Sequence, residues 1–296
     1  MSNDSNISKL LILDGNSVLH RAYYALPDWR NRSGEATAGV YGFLSMMLKS
    51  IEELRPTHLA IVFDHPGPTF RHLMYVGYQH QREKDRQVSE DIWGQVDKLK
   101  KVFQLISVPV FQLEGFEADD VVGTIATQSK CETVIITGDR DLMQLVSDRV
   151  CLYMPIKGVS DTVIVDRNKV KERLGIWPEQ VIDYKALCGD SSDNYPGIPG
   201  IGPKTAVTLL EKFGTFEEVV KKSGNQKVID GYESGELSKR LATIKIDSPV
   251  TLHLEDAILP EKDKMLSVLQ DLGYKSLIKR AGGEPHEDST RPRLFE

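Results

Sequence analysis

The sequence predicts an α/β domain followed by a helical region, and three observations predict it. Short aliphatic runs alternate with helical periodicity over roughly the first 165 residues. From about Pro178 onward the pattern turns helical and is punctuated by glycine and proline. Each of the three clearest aliphatic runs is followed at once, or within three residues, by an acidic residue.

The aliphatic runs are Leu10-Leu11-Ile12-Leu13, Leu59-Ala60-Ile61-Val62-Phe63 and Thr133-Val134-Ile135-Ile136. They are short, aliphatic and separated by helical patterns, as buried parallel strands are. Val40, Phe43, Leu44, Met47, Leu48 and Ile51 recur at helical spacing, so the stretch to Leu54 is the crossover helix between the first two strands. Val108 to Phe111 adds a candidate strand. The stretch from Arg71 to Lys101 is charged, rich in Gln and His, and too long for a plain connection. It is either a helical excursion over a site or a solvated helical pair. Beyond it, Pro178 opens a helix to Leu187, and helices follow over Pro203–Phe213, Phe216–Lys222 and Lys262–Leu272. Thr215 and Glu218 form a capping box for the second of these three. The expected units are therefore 1–177, with the excursion at about 67–101, then a helical unit 178–280 and a disordered tail 281–296.

Bulk numbers narrow the class only modestly. The 296 residues, 40% hydrophobic and 27% charged, suit about two globular domains. Three cysteines, Cys131, Cys151 and Cys188, match no zinc spacing and read as reduced thiols. The polar N-terminus has no signal-peptide pattern, and the first apolar run is four residues long. A cytoplasmic protein is the expectation, with no membrane partner. The net charge of −6 argues against phosphate binding until the acids are located. With the nine acids described next set aside, the remainder is net positive.

Asp14 follows the first run, Asp64 the second, and Asp139 and Asp141 the third. The carboxyl ends of strands in an open α/β sheet form a ligand crevice. Singly, each of these acids reads as a turn or cap residue. Together at one edge they repel each other unless cations lie among them. Glu117, Asp119 and Asp120 crowd one helix start, more acids than dipole compensation needs. Asp190 and Asp193 stand in a turn-forming segment, three apart. Nine carboxylates with no His or Cys set point to hard cations such as Mg²⁺ or Mn²⁺. Two such ions flanked by carboxylates are the construction used for phosphodiester cleavage.

Immediately downstream comes Gly197-Ile-Pro-Gly-Ile-Gly-Pro-Lys-Thr205. Gly200 and Gly202 permit close backbone approach, and Pro203 opens a helix whose free N–H groups suit a phosphate. Lys204 and Thr205 sit beside them. The segment reads as a helix–hairpin–helix that grips a nucleic-acid backbone without reading sequence. The Walker A spacing is not met.

The stretches LILDGNSVLHRAYYALP, PTHLAIVFD, FEADDVVGTIA, ITGDRDLMQLV and GDSSDNYPGIPGIGPKTA, in this order, resemble the 5′-nuclease domain of bacterial DNA polymerase I and the flap endonucleases of phages. The resemblance covers roughly residues 8–280. It implies a PIN-like parallel-sheet 5′-nuclease core, a helical arch after Asp64, and a C-terminal helix–hairpin–helix. It implies a first metal at Asp14, Asp64, Glu117, Asp119 and Asp120, and a second at Asp139, Asp141, Asp190 and Asp193. Asp14, Asp64, Asp139 and Arg82 would be catalytic. Arg21, Arg71, Arg82, Lys185 and the hairpin residues would bind DNA, with K⁺ at the hairpin. The implied reaction is hydrolysis at the 5′ ends and flaps of branched DNA and at RNA–DNA primer junctions, by a monomer, with a DNA polymerase as a further partner.

One departure stands out. Relatives carry Tyr-Lys-x-x-Arg in the arch, where this chain has Tyr78-Gln79-His80-Gln81-Arg82. The resemblance implies that the lysine places the scissile phosphate, and a neutral amide supplies no charge there. Slower cleavage is the expectation, with Lys84 and Arg86 as nearby substitutes. Two other classes compete: a DNA-junction binding module with weak or lost catalysis, which Gln79 favours and the intact acid set opposes, and a metal phosphatase acting on small phosphate esters, which the hairpin opposes.

Overall fold

The structure, a computed structural model, describes residues 8–80, 86–158, 161–285 and 294. Its elements run β1 (Lys9–Asp14), α1 (Gly15–Ala25), α2 (Ala38–Leu54), β2 (His58–Val62), α3 (Phe70–Met74), α4 (Arg86–Leu105), β3 (Val110–Phe111), α5 (Ala118–Gln128) and β4 (Glu132–Ile136). There follow β5 (Val150–Lys157), β6 (Asp161–Val165), α6 (Arg167–Leu174), α7 (Val181–Cys188), α8 (Pro203–Phe213), α9 (Phe216–Lys222) and α10 (Gln226–Asp230). The last helices are α11 (Tyr232–Ala242), α12 (Lys262–Leu272) and α13 (Lys275–Arg280). A short 3₁₀ turn, Asp141–Leu145, follows β4.

Among the described residues the strands form one six-stranded sheet in the order β3-β2-β1-β4-β5-β6. Every pairing is parallel except β5 with β6. Leu13 lies beside Ile61 on one side and Ile136 on the other, so β1, β2 and β4 end level with one another. The chain moves from β1 to β2 in one direction and returns to place β4 on the other side. That reversal opens the crevice at the carboxyl edge between β1 and β4.

Alternation along β1 builds two cores. Leu10 and Ile12 join a cluster with Val62, Val121, Ile125 and Leu152. Leu11 and Leu13 join the opposite cluster with Phe43, Phe63, Phe103 and Leu272. Both faces are therefore covered by helices, as the near-continuous aliphatic strands require. The first cluster continues without interruption into Val181, Leu187, Ile198, Ile201, Leu210 and Phe216 of the helical region.

Among the described residues the stretch from Arg71 to Lys101 is not a solvated pair, and Tyr78, Gln79 and Trp93 reach the cavity at the sheet edge, where an excursion over a site was one expectation. α3 is five residues long, and α4 buries Ile92, Val96, Leu99 and Phe103 along one face. The side chain of Gln95 accepts the N–H of Val40 at 3.1 Å, joining α4 to α2. Pro178 opens a 3₁₀ turn, and α7 starts only at Val181. The Thr215 cap is formed, with its hydroxyl accepting the N–H of Glu218 at 3.3 Å. Strands β5 and β6 and helices α1, α6, α10, α11 and α13 have no counterpart among the elements expected from the sequence. The expected tail, 281–296, opens on a turn at 281–282 and, apart from Leu294, lies beyond residue 285 outside the described residues.

Between α7 and α8 the chain makes a tight loop. Asp190 and Tyr195 exchange backbone hydrogen bonds at 2.9 and 3.0 Å, which closes the loop carrying Asp193. The loop needs glycine at both ends: Gly189 and Gly197 have φ of +70° and +63°. A Cβ on Gly197 would lie 2.2 Å from the backbone nitrogen of Gly189, where neither atom can yield. Gly197→Ala is expected to cost about 2–4 kcal/mol, from left-handed strain plus the backbone clash. Urea denaturation measures it, and a loss below about 1 kcal/mol would show that the loop relaxes.

Candidate active site

Hydrogen bonds hold the edge carboxylates in place. Asp14 ends β1 and caps α1: it accepts the Ser17 N–H at 3.2 Å and the Thr137 hydroxyl at 2.7 Å. The same Thr137 oxygen accepts the N–H of Asp139 at 2.9 Å, which ties the β1 and β4 ends together. Asp139 in turn accepts the N–H of Asp141 at 2.8 Å. Asp64 accepts the N–H of Ala118 at 2.8 Å, and its own N–H donates to the Asn16 side chain at 2.9 Å. Glu117 is the cap residue of α5, and Asp119 lies in its first turn.

These groups line a cavity of about 780 Å³, which brings together Asp14, Asp64, Glu117, Asp119, Asp139, Asp141 and Asp193. Arg21 also lines it, with its guanidinium donating to the carbonyls of Gly158 at 2.9 Å and Ile156 at 2.8 Å. The cavity meets the hairpin through the loop at Asp190–Tyr195. At the hairpin Gly200 has φ of +79°, Gly202 precedes α8, and Gly202, Lys204 and Thr205 are exposed.

Two expectations are corrected here. Asp120, expected as a metal ligand, is fully buried beneath the cavity. Its Oδ1 accepts from Arg71 at 2.9 Å and from the Lys245 N–H at 2.8 Å; its Oδ2 accepts from Arg71 at 2.7 Å and from the Glu117 N–H at 3.1 Å. Both oxygens are used. Arg71, expected to bind DNA, is 2% exposed. It donates to Asp120 through two nitrogens and to the carbonyls of Leu241 and Thr243, both at 2.8 Å, and lies 3.1 Å from Glu117. A guanidinium so committed holds the α11 end against α5 and has no donor to spare for a phosphate.

Asp190 does not line the cavity. The ammonium of Lys185 bridges Asp190 and Asp141 and so serves a carboxylate pair where DNA contact was expected. Burial opposes ionisation of Asp190, but Lys185 and Ser192 together hold it below the usual range. Arg82 and Lys84 lie outside the described residues. Arg86 opens α4, exposed, and donates to Glu90 at 2.8 Å. The residues the sequence reading passed over are Asn16, Ser17 and Thr137, the hydrogen-bond partners just described. They stand within Asp14-Gly-Asn-Ser and Thr137-Gly-Asp, so the available signal was a polar side chain two or three positions from an acid.

Electrostatics make this cavity costly when anionic. Burial, joined by repulsion from Asp64 and Asp139 and opposed by the Thr137 bond, pushes Asp14 up to about 7. Burial likewise pushes Glu117 up to about 7 against the pull of Arg71, and Asp141 to about 6 against Lys185. Asp119 is driven well above the carboxylate range by burial, then by Asp139, Asp14, Glu117 and Asp64. Among the described residues no three such side chains are already gathered at metal-ligand distance. The donor set nonetheless fits a hard divalent cation: seven carboxylates share one cavity, against three histidines at His20, His65 and His72, and a cation there removes the repulsion that favours protonation.

A parallel sheet that delivers acids to its carboxyl edge, with a helical hairpin unit behind it, defines a nuclease fold of the flap-endonuclease kind. The chain belongs to the 5′-3′ exonuclease family: residues 9–175 match the family's N-terminal resolvase-like domain and residues 176–265 its C-terminal SAM fold. It is 36% identical to the 5′-3′ exonuclease of Aquifex aeolicus, over 91% of this chain and 94% of that protein. It is 39% identical to DNA polymerase I of Caldicellulosiruptor bescii over 93% of this chain, and it spans about a third of the length of that polymerase, 33%. In structure it is similar to the T5 D15 protein co-crystallised with metal ions, with a TM-score of 0.65 and 17% identity over 93% of this chain and 97% of that one. The catalytic core of Rad2 in complex with DNA substrate gives 0.57 and 14%, over 91% and 89%. These likenesses show the fold.

Two outcomes follow. Because Asp14 and Glu117 titrate near 7 when folded and near 4 when unfolded, the folded state holds protons the unfolded chain releases. The metal-free protein therefore loses stability as pH rises from about 4 to about 7, and the loss is complete above that. Its Tm in EDTA is expected to be lower near pH 8 than near pH 5.5, and Mg²⁺ to raise Tm more at the higher pH. Equal Mg²⁺ shifts at both would contradict this. Arg71→Met leaves Asp120 buried without its partner and is expected to cost about 3–5 kcal/mol in chemical denaturation.

Proposed function

We propose that this protein is a divalent-metal-dependent 5′-3′ exonuclease and flap endonuclease that cuts branched DNA at 5′ ends and flaps. The observation that carries the reading is the seven-carboxylate cavity at the sheet edge, joined by one short loop to an exposed glycine hairpin. The α/β part, residues 1–177, would be the cutting unit, and of residues 178–280 the hairpin helices would grip the duplex backbone, while α12 and α13 pack with α2 on the far face of the sheet. Small phosphate esters would need no such grip.

Asp14, Asp64, Glu117 and Asp119 would hold one Mg²⁺ or Mn²⁺, and Asp139, Asp141 and Asp193 a second. Bound ions of this kind activate water and neutralise charge on the phosphodiester, leaving a 5′-phosphate and a 3′-hydroxyl. The chain's own contribution is to place oxygen ligands through Thr137, Ser17 and Asn16. The Lys185 ammonium lies beside Asp141 and Asp190, so that pair is partly neutralised within the protein. K⁺ at the hairpin, RNA–DNA primer junctions as substrates and a DNA polymerase as partner belong to the same proposal; the relatives named DNA polymerase I support the last of these.

The test is cleavage of a double-flap DNA labelled at the 3′ end of the flap strand, in Mg²⁺ and in EDTA. Metal-dependent cutting near the flap base is expected. Asp14→Asn is expected to lower the single-turnover rate by about 100-fold or more. Tight junction binding without cutting in Mg²⁺ or Mn²⁺ would overturn the catalytic reading.

A further inference from the structure

Gln79 stands where three chain segments meet. Residues 75–80, after α3, lie against the loop closed by Asp190 and Tyr195. The N–H of Gln79 donates to the carbonyl of Asp193 at 3.0 Å, and the Asn194 side chain donates to the carbonyl of Gly77 at 2.7 Å. Tyr78, buried, donates its hydroxyl to Glu117 Oε2 at 3.1 Å. The rings of Tyr78 and Tyr195 pack in one apolar cluster with Leu241 and Ala242, so the contact has a dry back.

The side chain of Gln79 turns into the acid cavity. Its amide nitrogen lies 3.2 Å from Tyr78 Oη, 3.3 Å from Asp193 Oδ1 and 3.5 Å from Glu117 Oε1. The last two are long, individually weak bonds. The backbone is less ordinary: Gln79 has φ of +53° and its neighbour across the contact, Asn194, +59°. Asparagine tolerates that region and glutamine tolerates it less well, so Gln79 is held there by its surroundings.

Glu117 and Asp193 come from different parts of the chain, the cap of α5 and the loop before the hairpin. They repel each other across the cavity, and the effect on Glu117 is part of what raises its pKa. A lysine between them would neutralise them and compete with a metal. An amide donates hydrogen bonds without carrying charge, so it can orient both carboxylates and leave their charge to a cation.

We propose that Gln79 is a positioning residue for divalent-cation binding, drawing Glu117 and Asp193 toward each other across the cavity. The inference rests on the metal-dependent reading above.

The test titrates Mn²⁺ into the full chain without nucleic acid and follows free Mn²⁺ by electron paramagnetic resonance. Gln79→Asn suits the left-handed backbone better and shortens the side chain; Gln79→Gly removes side chain and strain together. Both retain the backbone bond to Asp193. Each is expected to weaken Mn²⁺ binding by about tenfold, with Tm in EDTA unchanged or raised. Unsubstituted protein that binds Mn²⁺ while both variants bind it equally well or more tightly overturns the role of Gln79 and leaves the metal reading standing. An unsubstituted chain that binds no Mn²⁺ overturns both.

Discussion

Repulsion among carboxylates gathered at one sheet edge is the constraint around which the rest of this structure is arranged. The parallel register brings the ends of β1, β2 and β4 level, so an acid after each strand is delivered to the same cavity. The fold withstands the crowding in several ways. α1 and α5 begin at Asp14 and Glu117 and present their positive dipole ends to the acids. Thr137 and the backbone N–H groups of Ser17, Ala118 and Asp141 bond to individual carboxylates. Lys185 takes the charge of one pair and Arg71 that of Asp120. Burial first, and then the repulsion not offset in these ways, shows as raised proton affinity at Asp14, Glu117 and Asp119.

The parts of the molecule legible in the sequence are those where one residue's role follows from its neighbours in the chain. β1, β2 and β4 are aliphatic because both faces are covered, and α8, α9 and α12 carry their own starts and stops. β5 and β6 were not legible. β5 mixes Cys151, Tyr153 and Pro155 with apolar residues, and β6 is an antiparallel edge strand with partly exposed side chains, so neither shows the continuous aliphatic run. α4 was obscured by composition: its buried stripe at Ile92, Val96, Leu99 and Phe103 is regular, but charge on the opposite face dominates the count.

The acid site divides in the same manner. Strand-end position placed Asp14, Asp64 and Asp139 correctly at the cavity. Asp119 and Asp120 are adjacent in sequence yet face opposite fates, one into the cavity and one beneath it. The partner that decides the matter, Arg71, is 49 residues away. Spacing cannot reveal a pairing of that kind. Nor can it reveal that the hydroxyl of Thr137 would serve Asp14, 123 residues away.

The uninterrupted apolar cluster that runs from the sheet into α8 and α9 has a mechanical meaning. The hairpin proposed to seize the duplex and the loop that bears Asp193 are seven residues apart, and Ile198 and Ile201 beside them are buried in the same cluster as the sheet. For a nucleic acid held at Gly200 and Gly202, the span to the acids is a fixed length of covalent chain. On the proposed function the molecule would work as a caliper: its jaw opening would be set by the fold, and the position of the cut would follow from where the duplex is clasped.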